Sequence, residues 1–315
     1  MTDEDDDKLS QTLKRLHDIL KANPYLESIS IIENPEPLTL ESLHLAISKK
    51  AFKNLGLFAS QKFVSICKVD ESFSKDSPLE ELSTVLVILN PDDSKHWNFR
   101  KKLFRQHYIN NKKKLSAELL LSACSLKLKP KSAEPFNHCR WLLANNGDVV
   151  DEQTIVSQLK VCEHSAESYK QNYYSWNYRF WLIKSFPRFI VLKEELDWSK
   201  LWVESHISQF CGMNYRFNLL LLLLENPNPM LNESYNFKKE NIRIFISEFS
   251  FVCDLVLFYP ETESLWSYLR LLLLYCDANE IDYVKNCSKR LANVDKIKNR
   301  FAVRFKENII AENLF

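Results

Sequence analysis

The sequence predicts an all-α fold, a solenoid of helical hairpins, and three observations carry that expectation. Glycine is scarce: Gly56, Gly147 and Gly212 are the only three in 315 residues, where average usage of ~7% gives about twenty. Sheet proteins draw on glycine for primed hairpin turns and bulges, and a dinucleotide fold draws on it for its phosphate loop, so neither suits this chain. Leucine-rich segments at helical spacing alternate with short polar turns. One aromatic-anchored motif also recurs at intervals of about forty residues.

Read from the start, Asp3, Glu4, Asp5, Asp6 and Asp7 form an acidic, solvated tail. Leu9 to Ala22 and Leu43 to Val69 carry helical patterns. Between them, Ile29-Ser30-Ile31-Ile32 reads as a short strand or a segment laid on the first helix. The following Glu33-Asn34-Pro35-Glu36-Pro37 is an extended connector, with two prolines and no glycine. Leu79 to Leu89, Leu115 to Leu128 and Thr154 to Tyr169 each place apolar residues at helical spacing. Each supplies the first helix of a hairpin. After the last motif copy, Ile281 to Asn313 carries two further helical patterns that cap the array. The organisation is therefore 1–78 as tail and leading helices, 79–280 as five repeats, and 281–315 as capping helices.

The repeats align on a large apolar anchor followed by a polar residue, then a basic one, then leucines. The anchors are Trp97, Phe136, Trp176, Met213 and Trp266, spaced by 39, 40, 37 and 53 residues. The last interval holds an insertion of roughly 15 residues. Pro91, Pro130 and Pro260 each stand six residues before their anchor. Proline cannot continue the preceding helix, and Asp93, Ser132 or Thr262 can cap the next one. Trp97, Arg100 and Phe104 follow the i, i+3, i+7 pattern, so they share a face that two helices cannot bury alone.

The recurring side chains have two readings each. The anchors Trp97, Phe136, Trp176 and Trp266 are an aromatic stripe at helical spacing, which is core packing between repeats. Asn98, Asn137, Asn177 and Asn214 each follow an anchor. Asparagine is a mediocre helix former, so its return implies a hydrogen-bonding task, either capping an adjacent turn (the favoured reading) or meeting a partner. Arg100, Arg179 and Arg216 share one position, and Arg140 and Arg270 sit one residue later. They form internal ion pairs or a basic ridge. The stretch from Lys95 to Lys114 is a polar helix face plus a turn, or an anion-facing surface.

Composition excludes several function classes. Net charge is +1 and the pI near 7.6, so no global field draws the chain to nucleic acid. Leu219 to Leu224, the most apolar run, ends at Glu225 and Asn226, far short of the ~20 residues of a membrane span. Eight cysteines lie scattered with no C-x-x-C pair. Cys162 and His164 fall on different helix faces, and adjacent His138 and Cys139 are poor chelators. These are reduced, buried thiols of a cytoplasmic protein, and no metal is expected on this chain. There is no Gly-rich phosphate loop, no H-E-x-x-H and no nucleophile elbow. The polypeptide does not run chemistry alone.

The Pro-x-x-x-x-x-Trp-Asn-x-Arg element, in five copies over Asn90 to Tyr275, resembles the protein prenyltransferase α subunit repeat family. The opening segment, a helix followed by Ile31-Ile32-Glu33-Asn34-Pro35-Glu36, resembles the N-terminal region of the repeat-containing members. The resemblance implies a right-handed α–α superhelix that wraps a catalytic β subunit. It implies transfer of a geranylgeranyl group from its diphosphate to the thiol of a protein substrate's C-terminal cysteine. Zinc and most catalytic residues are expected on the β subunit, of Rab geranylgeranyltransferase type, with the isoprenoid diphosphate shared at the interface. The family's repeat-two lysine, which reaches the diphosphate, falls on Lys131, and a repeat-three tyrosine of the same site falls on Tyr173. Ala133 replaces a family tyrosine. That change and the N-terminal likeness argue against a farnesyltransferase α subunit, which stays an alternative that prenyl-donor preference would decide. The alternative from another class is a repeat scaffold without enzymatic partnership.

Overall fold

The structure, a computed structural model, describes residues 3–69, 78–225, 234–278, 294 and 296–311. Two compact units divide the chain, Met1–Arg179 and Phe180–Phe315. The described residues are overwhelmingly helical, as the glycine scarcity and leucine spacing predict.

The first unit opens with helix α1 (Asp3–Ala22). The acidic segment is thus helical rather than a tail: carboxylates in a first turn face the positive end of the helix dipole and stabilise it. A three-stranded sheet follows, β1 (Ser28–Ile32), β2 (Leu38–Glu41) and β3 (His44–Ser48), in the order β1-β3-β2. β1 runs parallel to β3, with Ile29 opposite Leu45, and β2 runs antiparallel to it, with Leu40 opposite Leu45. The expected helix over 43–69 is therefore shorter. Leu45 and Ile47 are buried while His44 between turn and strand is exposed, a period-two alternation that belongs to a strand. Ser48 then starts helix α2 (Lys49–Val69), its Oγ accepting the Ala51 amide at 3.2 Å.

Three hairpins complete this unit: α3 (Pro78–Leu89) with α4 (Ser94–His107), α5 (Lys112–Leu128) with α6 (Ala133–Ala144), and α7 (Glu152–Ser168) with α8 (Tyr173–Ser185), whose last turns fall past the unit boundary. The second unit holds α9 (Leu192–Ser205) with α10 (Phe210–Glu225), α11 (Ser234–Phe258) with α12 (Glu263–Ala278), and α13 (Arg300–Ala311). Part of the predicted insertion, 226–233, and part of the predicted cap, 281–293, 295 and 312–315, lie outside the described residues.

The Pro-containing turns show why the proline stands six residues before the anchor. The Trp97 indole N–H donates to the Pro91 carbonyl at 2.8 Å, and that of Trp266 to the Pro260 carbonyl at 2.7 Å. The same residue that stops one helix thus offers the acceptor that fixes the next helix's largest side chain. Phe136 carries no such donor. In its repeat, the Pro130 carbonyl accepts instead from Asn172 at 2.8 Å, the residue that precedes α8 and caps the Ser175 amide. Asn299, ahead of α13, makes the same reach to Pro260 at 2.6 Å. Asp93 caps α4 as predicted, accepting from Lys95. Ser132 makes no cap bond; its hydroxyl donates to Asp92 in the preceding turn. Within each unit the turns are therefore tied to their neighbours.

Gly212, beside the Met213 anchor, has a packing reason. A Cβ there would collide with the Trp202 ring, so α10 meets α9 by closest approach at the one place lacking a side chain.

Candidate functional site

The repeated basic position does not form a ridge. Arg100, Arg179 and Arg216 are all buried. Each guanidinium donates to a main-chain carbonyl twenty residues back on the first helix of its own hairpin: Arg100 to Glu80 at 3.4 Å, Arg179 to Leu159 at 2.9 Å, and Arg216 to Leu196. Arg100 and Arg216 also bond a serine seventeen residues back, Ser83 at 3.0 Å and Ser199 at 2.9 Å. A planar fork with five donors can hold two helices in register in this way.

The residue just before that arginine position follows a second rule. Tyr178 donates to Gln158 at 3.0 Å, Tyr215 to Glu195 at 2.6 Å, and Tyr268 to Glu248 at 2.8 Å, while His138 Nε2 lies 3.1 Å from Glu118. All four pairs span twenty residues. Two of these carboxylates also take an arginine from the preceding repeat. Glu118 accepts Arg100 through both oxygens, and Glu248 accepts Arg216 at 2.8 and 2.6 Å. Burial pushes the Glu118 carboxyl up, but the Arg100 charge and the His138 hydrogen bond outweigh it and hold the pKa down to about 2. Burial lowers His138, with Glu118 opposing.

The anchors Trp97, Phe136, Trp176, Met213 and Trp266 are buried. Asn98, Asn137, Asn177 and Asn214 are all exposed. They do not cap turns, because the position after each anchor points away from the helical core. Asn177 instead accepts from Arg140 and donates to the Tyr173 hydroxyl at 3.4 Å, and Asn137 reaches Glu134 at 3.4 Å. The shifted arginines behave differently from the buried three. Arg140 lies 5.8 Å from the Tyr178 ring centroid, and Arg270 lines a cavity of about 270 Å³ beside Trp266 and Phe305. Of the basic stretch, Arg100 is consumed internally, Lys112 pairs with Asp151 at 2.6 Å, and Lys114 lies 3.9 Å from Glu80.

Lys131 is exposed in the turn before α6. Its ammonium donates to the Tyr169 hydroxyl at 3.2 Å and sits 5.0 Å over that ring. Tyr173, 61% exposed, opens α8 with its ring 5.7 Å from Tyr174. Lys131 and Tyr173 thus stand on the turn side of successive hairpins, and Tyr173 is joined to Asn177. Tyr169 entered the sequence reading only as the end of a helix. The signal was present: Tyr169 and Tyr259 each stand seven residues before a tryptophan anchor, and both are exposed.

Among the described residues no group of three or more His, Cys, Asp or Glu side chains is placed to hold a metal ion. Cys139 is buried and its thiol is pushed up to about 12, and Cys124 to about 11, both by desolvation. Such groups are thiols rather than thiolate ligands or nucleophiles at neutral pH. No helix among the described residues is long and apolar enough to cross a membrane.

Paired helices, an anchor tied to a proline carbonyl and an arginine staple repeated at one register define an all-α helical-hairpin repeat protein. Residues 156–186, in the hairpin of α7 and α8, match the family described as protein prenyltransferase alpha subunit repeat. It is similar to protein prenyltransferase alpha subunit repeat-containing protein 1 of Danio rerio, 25% identical across 83% of this chain and 71% of the relative. The Homo sapiens protein of the same name is 26% identical across 83% and 76%. Geranylgeranyl transferase type-2 subunit alpha of Bos taurus is 24% identical across 65% of this chain and 35% of its own length.

Proposed function

We propose that this chain is the α-type subunit of a protein geranylgeranyltransferase and pairs with a β subunit of the Rab type. The β subunit carries zinc and most catalytic groups in this reading. The observation that supports it best is the exposure of Asn98, Asn137 and Asn177 in the first unit, each following an anchor, with Lys131 and Tyr173 of the same unit also exposed; Asn214 holds the equivalent position in the second unit and is exposed too. Residues repeated at one register yet absent from the core have no packing reason to recur, so a facing surface is the economical cause. The likeness to geranylgeranyl transferase type-2 alpha subunits supports a β subunit of that enzyme class as the partner. Lys131 and Tyr173 stand at the isoprenoid diphosphate side, where a cation and a phenol stabilise a departing anion. The acceptor is a protein with a C-terminal cysteine, and the setting is cytoplasmic.

The test is co-expression with a Rab-type β subunit, followed by geranylgeranyl transfer to a cysteine-terminated protein. Stoichiometric complex and transfer support the reading; a β subunit that never associates contradicts it. A non-enzymatic scaffold is the second reading, favoured by the relatives that match 83% of this chain being named for their repeats rather than for an activity.

A further inference from the structure

A trough lies between α5 and α7 in the first unit, on the hairpins' first helices. It encloses about 530 Å³. Its floor is apolar, with Leu119, Leu120, Ala123, Leu126 and Val161 lining it. Lys112 and Asp151 close one end with their 2.6 Å ion pair, which also shows that the two helices run side by side in the same sense. The segment Pro24-Tyr25-Leu26 roofs the trough near Cys124, whose thiol lies 3.5 Å from the Pro24 carbonyl. From Ser116 to Lys127 along α5 is about 16 Å at 1.5 Å per residue.

The other end is cationic. Lys127, Lys160 and His164 line it, and none of the three has an ion-pair partner within 4 Å among the described residues. Lys127 is half-buried, which costs its ammonium solvation, while Lys160 and His164 are exposed. The carboxylates nearby are Glu27, which faces His44 at 3.5 Å, and Glu167 on the exposed side of α7. His164 is lowered by burial and by Lys127, so an anion arriving there would raise it.

We infer that this trough binds a single-chain amphipathic anion of the fatty carboxylate class, with the hydrocarbon on Leu119, Leu120, Ala123 and Val161 and the head group at Lys127, Lys160 and His164. The closed neutral end and open cationic end orient the ligand. The length suits an extended saturated chain of about a dozen carbons at ~1.25 Å each, within the same ~16 Å span. This inference is independent of the pairing with a β subunit.

The test is titration of the purified full chain with tetradecanoate, its methyl ester and geranylgeranyl phosphate, with the His164 ring followed by NMR. Saturable tetradecanoate binding is expected, at least ~10-fold weaker for the uncharged ester. Ala123→Phe, which fills the trough, and Lys127→Glu, which reverses the mouth, are each expected to weaken binding by at least ~10-fold. The two variants act at opposite parts of the trough, so a folding defect in one leaves the other informative. His164 should titrate at higher pH when the site is loaded. Absence of saturable binding, equal binding by acid and ester, or tighter binding of the branched prenyl phosphate would each overturn the assignment.

Discussion

Arg100 and Glu118 form a two-pronged ion pair between successive hairpins, and His138 holds the same carboxylate from a third helix. One half-buried side chain thereby joins α4, α5 and α6. Arg100 also bonds Ser83 and Thr84 on α3, at 3.0 and 2.9 Å. The pair is the hinge pin of two repeats rather than a surface ornament. Arg216, Glu248 and Tyr268 repeat the arrangement in the second unit.

Truncating the arginine should therefore be severe. Arg100→Ala leaves half-buried Glu118 with only the His138 contact, a loss of ~1–3 kcal/mol. Urea unfolding of the variant checks it. A loss under 1 kcal/mol would mean that water reaches the carboxylate and the pair contributes little.

Acid stability should report the same group. The folded Glu118 pKa, about 2, lies below the ordinary carboxylate value. Its contribution is complete above the unfolded value and is lost as pH falls from ~5 toward 2. Glu118→Gln should flatten the acid limb of the stability profile in that window. An unchanged limb would show that the carboxyl titrates normally.

Trp97→Phe isolates the indole bond. The ring stays largely filled, but the Pro91 carbonyl loses its donor, so a loss of ~1–3 kcal/mol is expected. Phe136→Trp, at the repeat where Asn172 already serves the proline carbonyl, should gain nothing. Thermal denaturation of the two variants compares them directly. Gly212→Ala should also cost ~1–3 kcal/mol, since its methyl overlaps Trp202.

Much of the fold was legible because helix pattern and proline punctuation agree. The first helices of the early hairpins, 78–89, 112–128 and 152–168, stand where leucine spacing put them. β3 was hidden because its five residues run straight into α2, with Ser48 serving as both strand end and helix cap. No glycine or proline marks the change of period. The arginine positions were visible, but not their burial, because the carboxylates they meet lie eighteen and thirty-two residues on and share no motif. The asparagines misled for a related reason: a poor helix former reads as a cap unless the partner surface is known. The α5–α7 trough has no sequence signature at all, since its residues come from two helices and a linker.

Asn98→Arg and Asn214→Arg separate folding from pairing. Both residues are exposed, so stability should change by no more than about 0.5 kcal/mol. Each bulky charge should nonetheless weaken capture of the β subunit, read by quantitative co-precipitation. Full retention of binding by both variants would remove these asparagines from the interface.

Lys131→Ala asks whether this chain touches the chemistry. Turnover should fall ~10-fold or more, at least ~1.4 kcal/mol of transition-state stabilisation, with the heterodimer intact. An intact complex with unchanged turnover would leave Lys131 as the neighbour of Tyr169 and nothing more.

The central claim, that this repeat protein serves as an α-type subunit, is tested most directly by purifying the tagged chain from cytosol and identifying its stoichiometric partners by mass. A Rab-type prenyltransferase β subunit at one-to-one ratio is the predicted result. Recovery of other proteins alone, with no β subunit even on co-expression, would contradict it and leave the chain a scaffold built on the same hairpins.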